Sequence, residues 1–463
     1  MLKELPKSLD ETYERILKGI NKANQQHAHR LLQCLTVAIR PLRVSELAEV
    51  LAVDFGTASG SKASKLETDW RWEDQEDAIL STCSSLIAVV DEDEDASQVV
   101  RSYNSRSSRA VQFSHFSVKE YLTSPRLSTS NVDVSCFYIL MEPAHTIMER
   151  ACLSTLLRLD HISDEDNVGD QFPLARYAAE HWATHVQFED ASSHNREGMQ
   201  SLFDSDKPYF SAWTRIYDID DSSRKNRMGW FTRSKIANAV PLYYAALCGF
   251  HDLVEHLISK CSKEVNDTGG VYRSPLVAAL AMEHFEVAEL LYQHGAHIDV
   301  QGRDKCTPLY GASYAGYLKI VQWLLRHGAD PNIPDESDGR AALHEAAIFD
   351  HLEIAQALLQ HNADLNIQDH DGQTPLHWAS YNGSTDVVRL LLGQGVDVNA
   401  RSQDGSTPLH MTCMDGSLES ARVLIEHGAD RNAEDNEGRT PSQVASMNEQ
   451  WDIVELLSDH GSQ

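Results

Sequence analysis

Thr374-Pro375-Leu376-His377-Trp378-Ala379, followed by Gly383, Asp386-Val387-Val388-Arg389-Leu390-Leu391-Leu392, Gly395 and Asp397-Val398-Asn399, is one copy of a pattern that recurs. A Pro-Leu pair stands at Pro241-Leu242, Pro275-Leu276, Pro308-Leu309, Pro375-Leu376 and Pro408-Leu409, with Ala342-Leu343 and Pro441-Ser442 as degenerate copies. Successive copies lie 34, 33, 34, 33, 33 and 33 residues apart. Ser or Thr at Ser274, Thr307, Thr374, Thr407 and Thr440 can cap a helix, and proline one place later suits the first turn, where its missing N–H is not needed. Small residues such as Ala278-Ala279 and Ala346-Ala347 let that first helix pack closely, and Gly249, Gly316, Gly383 and Gly416 end it. A second helix follows with apolar residues at helical spacing, for example Ile320, Val321, Leu324 and Leu325. Gly295, Gly328, Gly395 and Gly428 close it, and turn-rich segments such as Asp369-His370-Asp371-Gly372 form a finger leading to the next unit.

A period of about 33 residues with a Thr-Pro-Leu-His signature resembles the ankyrin repeat. The resemblance covers residues 236–463 in about seven copies and implies a stacked α-solenoid with a concave wall, because no single unit can bury its own apolar face.

The chain has 463 residues, enough for two or three domains, and a formal net charge of −29. Residues 1–240 account for −9 and residues 241–463 for −20, so the repeats form the acidic half. This balance argues against nucleic acid and anionic membrane as partners, since phosphate neutralisation needs patches of Lys and Arg. Eight cysteines without a Cys-x-x-Cys pair read as reduced thiols, placing the chain in the cytoplasm or nucleus. No apolar run reaches 18 residues, and no apolar run follows the first charges, so neither a membrane span nor a signal peptide is expected.

Before the repeats, apolar positions three and four apart predict helices around Leu9–Leu17, His29–Leu35 and Val44–Leu51, with another near Glu76–Leu80. Cys83–Val90 ends in a β-branched run, Asp91–Asp95 and Ser102–Ser108 read as a hairpin loop, and Val111–His115 returns as a second strand. Three helices and a two-stranded wing describe a winged helix. Leu5-Pro6 through Leu17, Arg40-Pro41-Leu42, Cys83-Ser84-Ser85-Leu86 and His115-Phe116-Ser117-Val118-Lys119-Glu120-Tyr121-Leu122 resemble the segment that follows the ATPase core in fungal NACHT-type STAND (NLR-like) proteins. The same module is also catalogued as a GPI inositol-deacylase winged helix, a label that carries no activity here. The resemblance implies winged helix, helical spacer and repeats in that order, and a sensor or regulatory part of a signalling receptor. The fold class expected is therefore mostly α: a winged helix with a small β-wing at 1–125, a helical spacer and cap at 126–235, and an ankyrin solenoid at 236–463. Within the spacer, Asp160–Asp170 reads as an acidic loop, and the aromatic-rich Phe203–Tyr217 as a lid on the first repeat.

The ATPase core itself is missing from the pattern. No Gly-x-x-x-x-Gly-Lys-[Ser/Thr] occurs, and the nearest string, Gly56-Thr57-Ala58-Ser59-Gly60-Ser61-Lys62-Ala63, has three residues between its glycines and no Gly-Lys pair. The chain thus starts where the ATPase would have ended, either as a separate product working with an ATPase subunit or as a truncated reading of a longer gene. His181-Trp182-Ala183-Thr184-His185 puts two imidazoles on one helix face, but a zinc hydrolase would need Glu at Trp182 and a third ligand, so a packing role is expected. Gly311-Ala312-Ser313-Tyr314-Ala315-Gly316 is one residue too long for a nucleophile elbow. No catalytic residue, metal or cofactor is expected. A DNA-binding use of the winged helix would need a basic recognition helix, where Glu46 and Glu49 oppose Arg40 and Arg43.

The surface of the array is left. First-helix ends supply Tyr314, Ile348, Phe349, Tyr381, Asn382 and Met414, residue types of which binding hot spots are made. The alternative is that Ile348 and Phe349 merely pack between neighbouring repeats. Three places before the Thr, the fingers carry Asp304, Asp338, Asp371, Asp404 and Glu437, either a negative row suited to a basic protein partner or a plain solvated edge. His344, His377 and His410 are expected to bond neighbouring backbone.

Overall fold

The computed structural model describes residues 7–53, 79–80, 83, 85–91, 109–159, 171–188, 195–217, 219, 240–301 and 306–458. Gly56–Ala63, most of the helix expected at Glu76–Leu80, the hairpin loop and Asp160–Asp170 lie outside them. The chain divides into two compact units, Met1–Ile219 and Asp220–Gln463.

Unit 1 opens with α1 (Lys7–Lys18), α2 (Gln25–Val37), the short strand β1 (Leu42–Arg43) and α3 (Val44–Ala52). The expected hairpin forms from β2 (Ile87–Asp91) and β3 (Arg109–Phe113), antiparallel with Ile87 opposite Phe113 and Asp91 opposite Arg109. β1 pairs with the other edge of β3, giving a three-stranded sheet in the order β1-β3-β2. There follow α4 (Phe116–Leu122), α5 (Pro125–Ser128), α6 (Val132–Ser135), α7 (Met141–Leu156), α8 (Ala175–Val186), α9 (Arg196–Leu202) and α10 (Tyr209–Ile216). α7 buries Ala144, Met148, Ala151, Cys152 and Leu156, at helical spacing, against Ala175, Ala178, Ala179 and Trp182 of α8. Alanine on that face lets the two helices approach closely, which is why this pair is the centre of the unit.

Trp213 of α10 and Phe203 are buried against Trp182, with ring centroids 5.3 and 5.9 Å from it, and the Trp213 indole N–H donates to the Ala179 carbonyl at 3.0 Å. Phe203 and Trp213 thus belong to the core of unit 1.

Among the described residues, unit 2 holds seven helix pairs: α11/α12 (Pro241–Cys248, His251–Lys260), α13/α14 (Pro275–Ala281, Phe285–Gln293), α15/α16 (Pro308–Tyr314, Leu318–Arg326), α17/α18 (Ala342–Ile348, Leu352–Gln360), α19/α20 (Pro375–Tyr381, Thr385–Gly393), α21/α22 (Pro408–Asp415, Leu418–Glu426) and α23/α24 (Pro441–Met447, Trp451–Ser458). First helices stack on first helices and second on second between repeats one and two and from repeat three to repeat seven, giving two layers. The caps take two forms. Ser274, Thr307 and Thr440 accept from the N–H three residues on, whereas at Thr374 and Thr407 the backbone N–H donates at 3.1 Å to Nδ1 of His377 and His410. Those rings donate through Nε2 to the Ser406 and Arg439 carbonyls of the following repeat, and His344 does the same to Gln373. The histidines thus bond neighbouring backbone, as expected, and lace repeats four to seven together.

Candidate functional site

The exposed ends of the first helices form the candidate site. The fifth residue after each Pro-Leu leucine is Leu247 and Ala281 in the first two repeats, both buried. From the third repeat onward it is Tyr314, Ile348, Tyr381, Met414 and, in the seventh, Met447. Tyr314 is 40% exposed, Tyr381 37% and Met447 67%, with Ile348 and Met414 half-buried. One place further on, Phe349 is 44% exposed and its ring meets Tyr314 edge-on at 4.9 Å, bridging repeats three and four. Phe349 thus packs against the neighbouring repeat and also presents its ring to solvent. Asn382 is exposed and donates through its amide to the Trp378 carbonyl.

Two residues belong to this wall although the sequence did not mark them. Trp378 stands one helical turn before Tyr381, with ring centroids 6.3 Å apart, and its N–H donates to Asp369 at 2.8 Å. Arg340 lies over the Trp378 ring, 5.3 Å from its centroid. Its guanidinium also pairs with Asp338 at 2.6 Å and with the buried Glu345 at 3.3 Å, which accepts from the Tyr310 hydroxyl at 2.7 Å. Burial pushes the Glu345 carboxyl up, and the Tyr310 bond and Arg340 oppose that shift. The network fixes Arg340 and Trp378 in place, so the aromatic face is pre-organised before any partner arrives. Periodicity in the finger position preceding the Thr could have pointed to Arg340, since Arg439 recurs there in the seventh repeat.

The finger acids are less uniform than their spacing suggests. Asp304 lies outside the described residues. Asp338 and Glu437 are paired with Arg340 and Arg439, at 2.6 and 2.7 Å. Asp404 accepts from the hydroxyls of Ser402 and Ser406 and the Ser406 N–H; partial burial works against its charge, but these bonds outweigh it and hold the carboxyl below the usual range. Asp371 is exposed, with no ion pair among the described residues. A second, buried set does the structural work: Asp369 accepts from the N–H groups of Asp371 and Gln373, and Asp435 from those of Glu437 and Arg439. Two arginines thus stand among the finger acids.

In unit 1, α3 is enclosed, with eight of its nine residues buried, Glu46 and Glu49 among them. Glu46 grips Arg40 through both oxygens at 2.8 and 2.6 Å and accepts from the Arg43 N–H, and Glu49 accepts from the Leu174 N–H ahead of α8 at 2.7 Å. His185 of the expected imidazole pair has both ring nitrogens engaged, with the Tyr177 hydroxyl at 3.0 Å and His145 at 2.9 Å. Burial, with smaller contributions from His145 and His181, lowers it to about 3, so it is a neutral core residue. Burial pushes the thiols of Cys34, Cys83, Cys248 and Cys413 up to about 12. No cysteine forms a disulfide, and no described helix is long and apolar enough to cross a membrane.

The repeat scaffold is also recognised by comparison with known families. The model described as Ankyrin repeats (3 copies) matches residues 242–335, 333–402 and 394–463, so the helix pairs of unit 2 are ankyrin repeats. Among relatives, the chain is 32% identical over 311 residues to Azaphilone pigments biosynthesis cluster protein L of Monascus ruber, a match covering 64% of this chain and 61% of that protein. It is 38% identical over 108 residues to Ankyrin repeat protein nuc-2 of Neurospora crassa, covering 23% of this chain and 10% of that one. BCL-6 corepressor-like protein 1 of Homo sapiens is 33% identical over 114 residues, 25% of this chain and 6% of its own length. The chain therefore spans less than two thirds of each of these relatives. Residues 242–463 are under half of the chain, so the Monascus match also includes residues before 242. Ankyrin repeats carry a protein–protein interaction role.

Proposed function

We propose that this chain is a non-enzymatic interaction protein that captures a protein partner on the concave wall of its repeats, centred on repeats three to six. The observation that carries the reading is the exposed pair Tyr314 and Tyr381, whose equivalents Leu247 and Ala281 in the first two repeats are buried, with the exposed Phe349 ring set against Tyr314. Large apolar side chains held out to water on a rigid frame are what a hot spot requires. Asn382, Met414 and Ile348 border these residues, and the finger residues Asp338, Asp371, Asp404 and Glu437 form their mixed-charge rim, suited to a partner with basic residues. The partner is a protein, and the site of action is intracellular.

The N-terminal unit fits the sensor or regulatory part of a STAND-like signalling protein. Helix order and the hairpin support a winged helix over 1–125, and the match to the Monascus protein beyond the repeats supports a fungal arrangement in which both units occur together. The burial of α3 speaks against its lying in a DNA groove.

The test is capture from a cell extract by the full chain, beside a Tyr314→Ala, Phe349→Ala, Tyr381→Ala variant. Proteins retained by the wild type and lost from the variant support the reading. Identical retention by both would remove the wall as the site.

A further inference from the structure

Resting on the reading that the first-helix wall binds a partner, we propose that the bound segment is a proline-rich chain in the left-handed extended polyproline II conformation, with an apolar side chain at every third residue and basic residues at its ends. The ladder Tyr314, Ile348, Tyr381, Met414, Met447 offers one apolar contact per repeat over five successive repeats. Packed helices lie about 8–10 Å apart, which sets the step of the ladder. A polyproline II chain returns to the same face every three residues, after about 9.3 Å, and so stays in step with it. An α-helix returns only after seven residues, about 10.5 Å, and its stripe drifts about 20° each time. In a β-strand the residue about 10 Å on, three places later, points to the opposite face.

The wall also suits such a chain chemically. Polyproline II leaves its carbonyls without internal partners, and the exposed Tyr314 and Tyr381 hydroxyls, which bond to nothing among the described residues, are donors placed beside the path. Edge-on pairs Tyr314–Phe349 and Trp378–Tyr381 leave ring faces between which proline rings can sit. Charge selects the ends. Residues 241–463 carry −20, and Asp371, at the middle of the rim, makes no ion pair among the described residues, so arginine or lysine on the ligand is favoured.

The experiment is calorimetric titration of the full chain with a synthetic peptide, Arg-(Pro-Pro-Leu)4-Arg. Two controls accompany it: one of the same composition with the leucines moved off the three-residue spacing, and a helical peptide of equal charge with leucine every seventh residue. The regular peptide is expected to bind at least tenfold more tightly than either control, to weaken as salt is raised, and to lose at least tenfold against a Tyr314→Ala, Tyr381→Ala variant whose melting temperature matches the wild type. Equal or tighter binding of either control, or no binding of the regular peptide, overturns the proposal. If the extract partners are nonetheless lost from the triple variant, the wall remains the binding site and only the ligand class is wrong; if they are not lost, both readings fall together.

Discussion

The left-handed residue after each first helix is glycine in four repeats, with φ of 74° at Gly249, 77° at Gly316, 69° at Gly383 and 92° at Gly416. In the other three it is an acid, Glu283, Asp350 and Glu449, at φ of 60°, 55° and 59°. A side chain there costs about 1–2 kcal/mol against the preceding turn. Glu449 is exposed, so Glu449→Gly is expected to stabilise the array by about 0.5–1 kcal/mol, net of the greater freedom glycine has when unfolded. Gly416→Ala is expected to destabilise it by about 1–2 kcal/mol, since its Cβ would stand 2.4 Å from Gln450 Oε1 as well. Urea midpoints of the two variants should move in opposite directions; shifts of the same sign would refute the strain argument. The histidines give a second residue-scale expectation. Burial, partly offset by the bond to the Gln373 carbonyl, lowers His344 to about 4 from the ordinary 6.5, and His377 and His410 are lowered for the same reason. The unfolded chain therefore takes up protons first. Stability is full above about pH 6.5 and falls as pH drops towards 4, with His344 alone accounting for about 2 kcal/mol by pH 5. Urea titrations at pH 7 and 5 measure this, and a midpoint unchanged between them would contradict it. The histidine role was legible from the sequence because it repeats with the 33-residue phase; the strain at Glu449 was not, because an acid in place of glycine looks like an ordinary surface substitution.

At the scale of elements, the helices were readable wherever one face is apolar, as in the seven repeat pairs and α1 to α3. What could not be read is which polar residues go inside. Glu46 and Glu49 look like the solvent face of α3, yet each is buried because a nearby arginine or a backbone N–H from a distant segment satisfies it. The aromatic segment Phe203–Tyr217 announced burial but not its partner, and that partner is Trp182 of α8. Trp182→Ala is accordingly expected to cost unit 1 about 3–5 kcal/mol, seen as an earlier unfolding midpoint by circular dichroism. A loss under 1 kcal/mol would place the centre of that core elsewhere.

At the scale of the molecule, the net charge of −29 and the enclosed α3 lead to one expectation for partners: the chain does not retard duplex DNA at about 0.15 M salt, and a mobility shift would contradict it. The wall was legible from phase alone as far as Tyr314, Ile348, Phe349, Tyr381, Asn382 and Met414. Its polar frame was not, because Arg340, Glu345 and Trp378 come from two successive repeats and meet only when these stack. The measurement that bears most directly on capture by this wall is photo-crosslinking of the full chain in cell extract, with p-benzoylphenylalanine in place of Tyr381 on the wall or of Gln322, exposed on the outer helix α16. Capture on the wall predicts a partner adduct from position 381 and none from position 322. An adduct from 322 alone, or equal adducts from both, would contradict it.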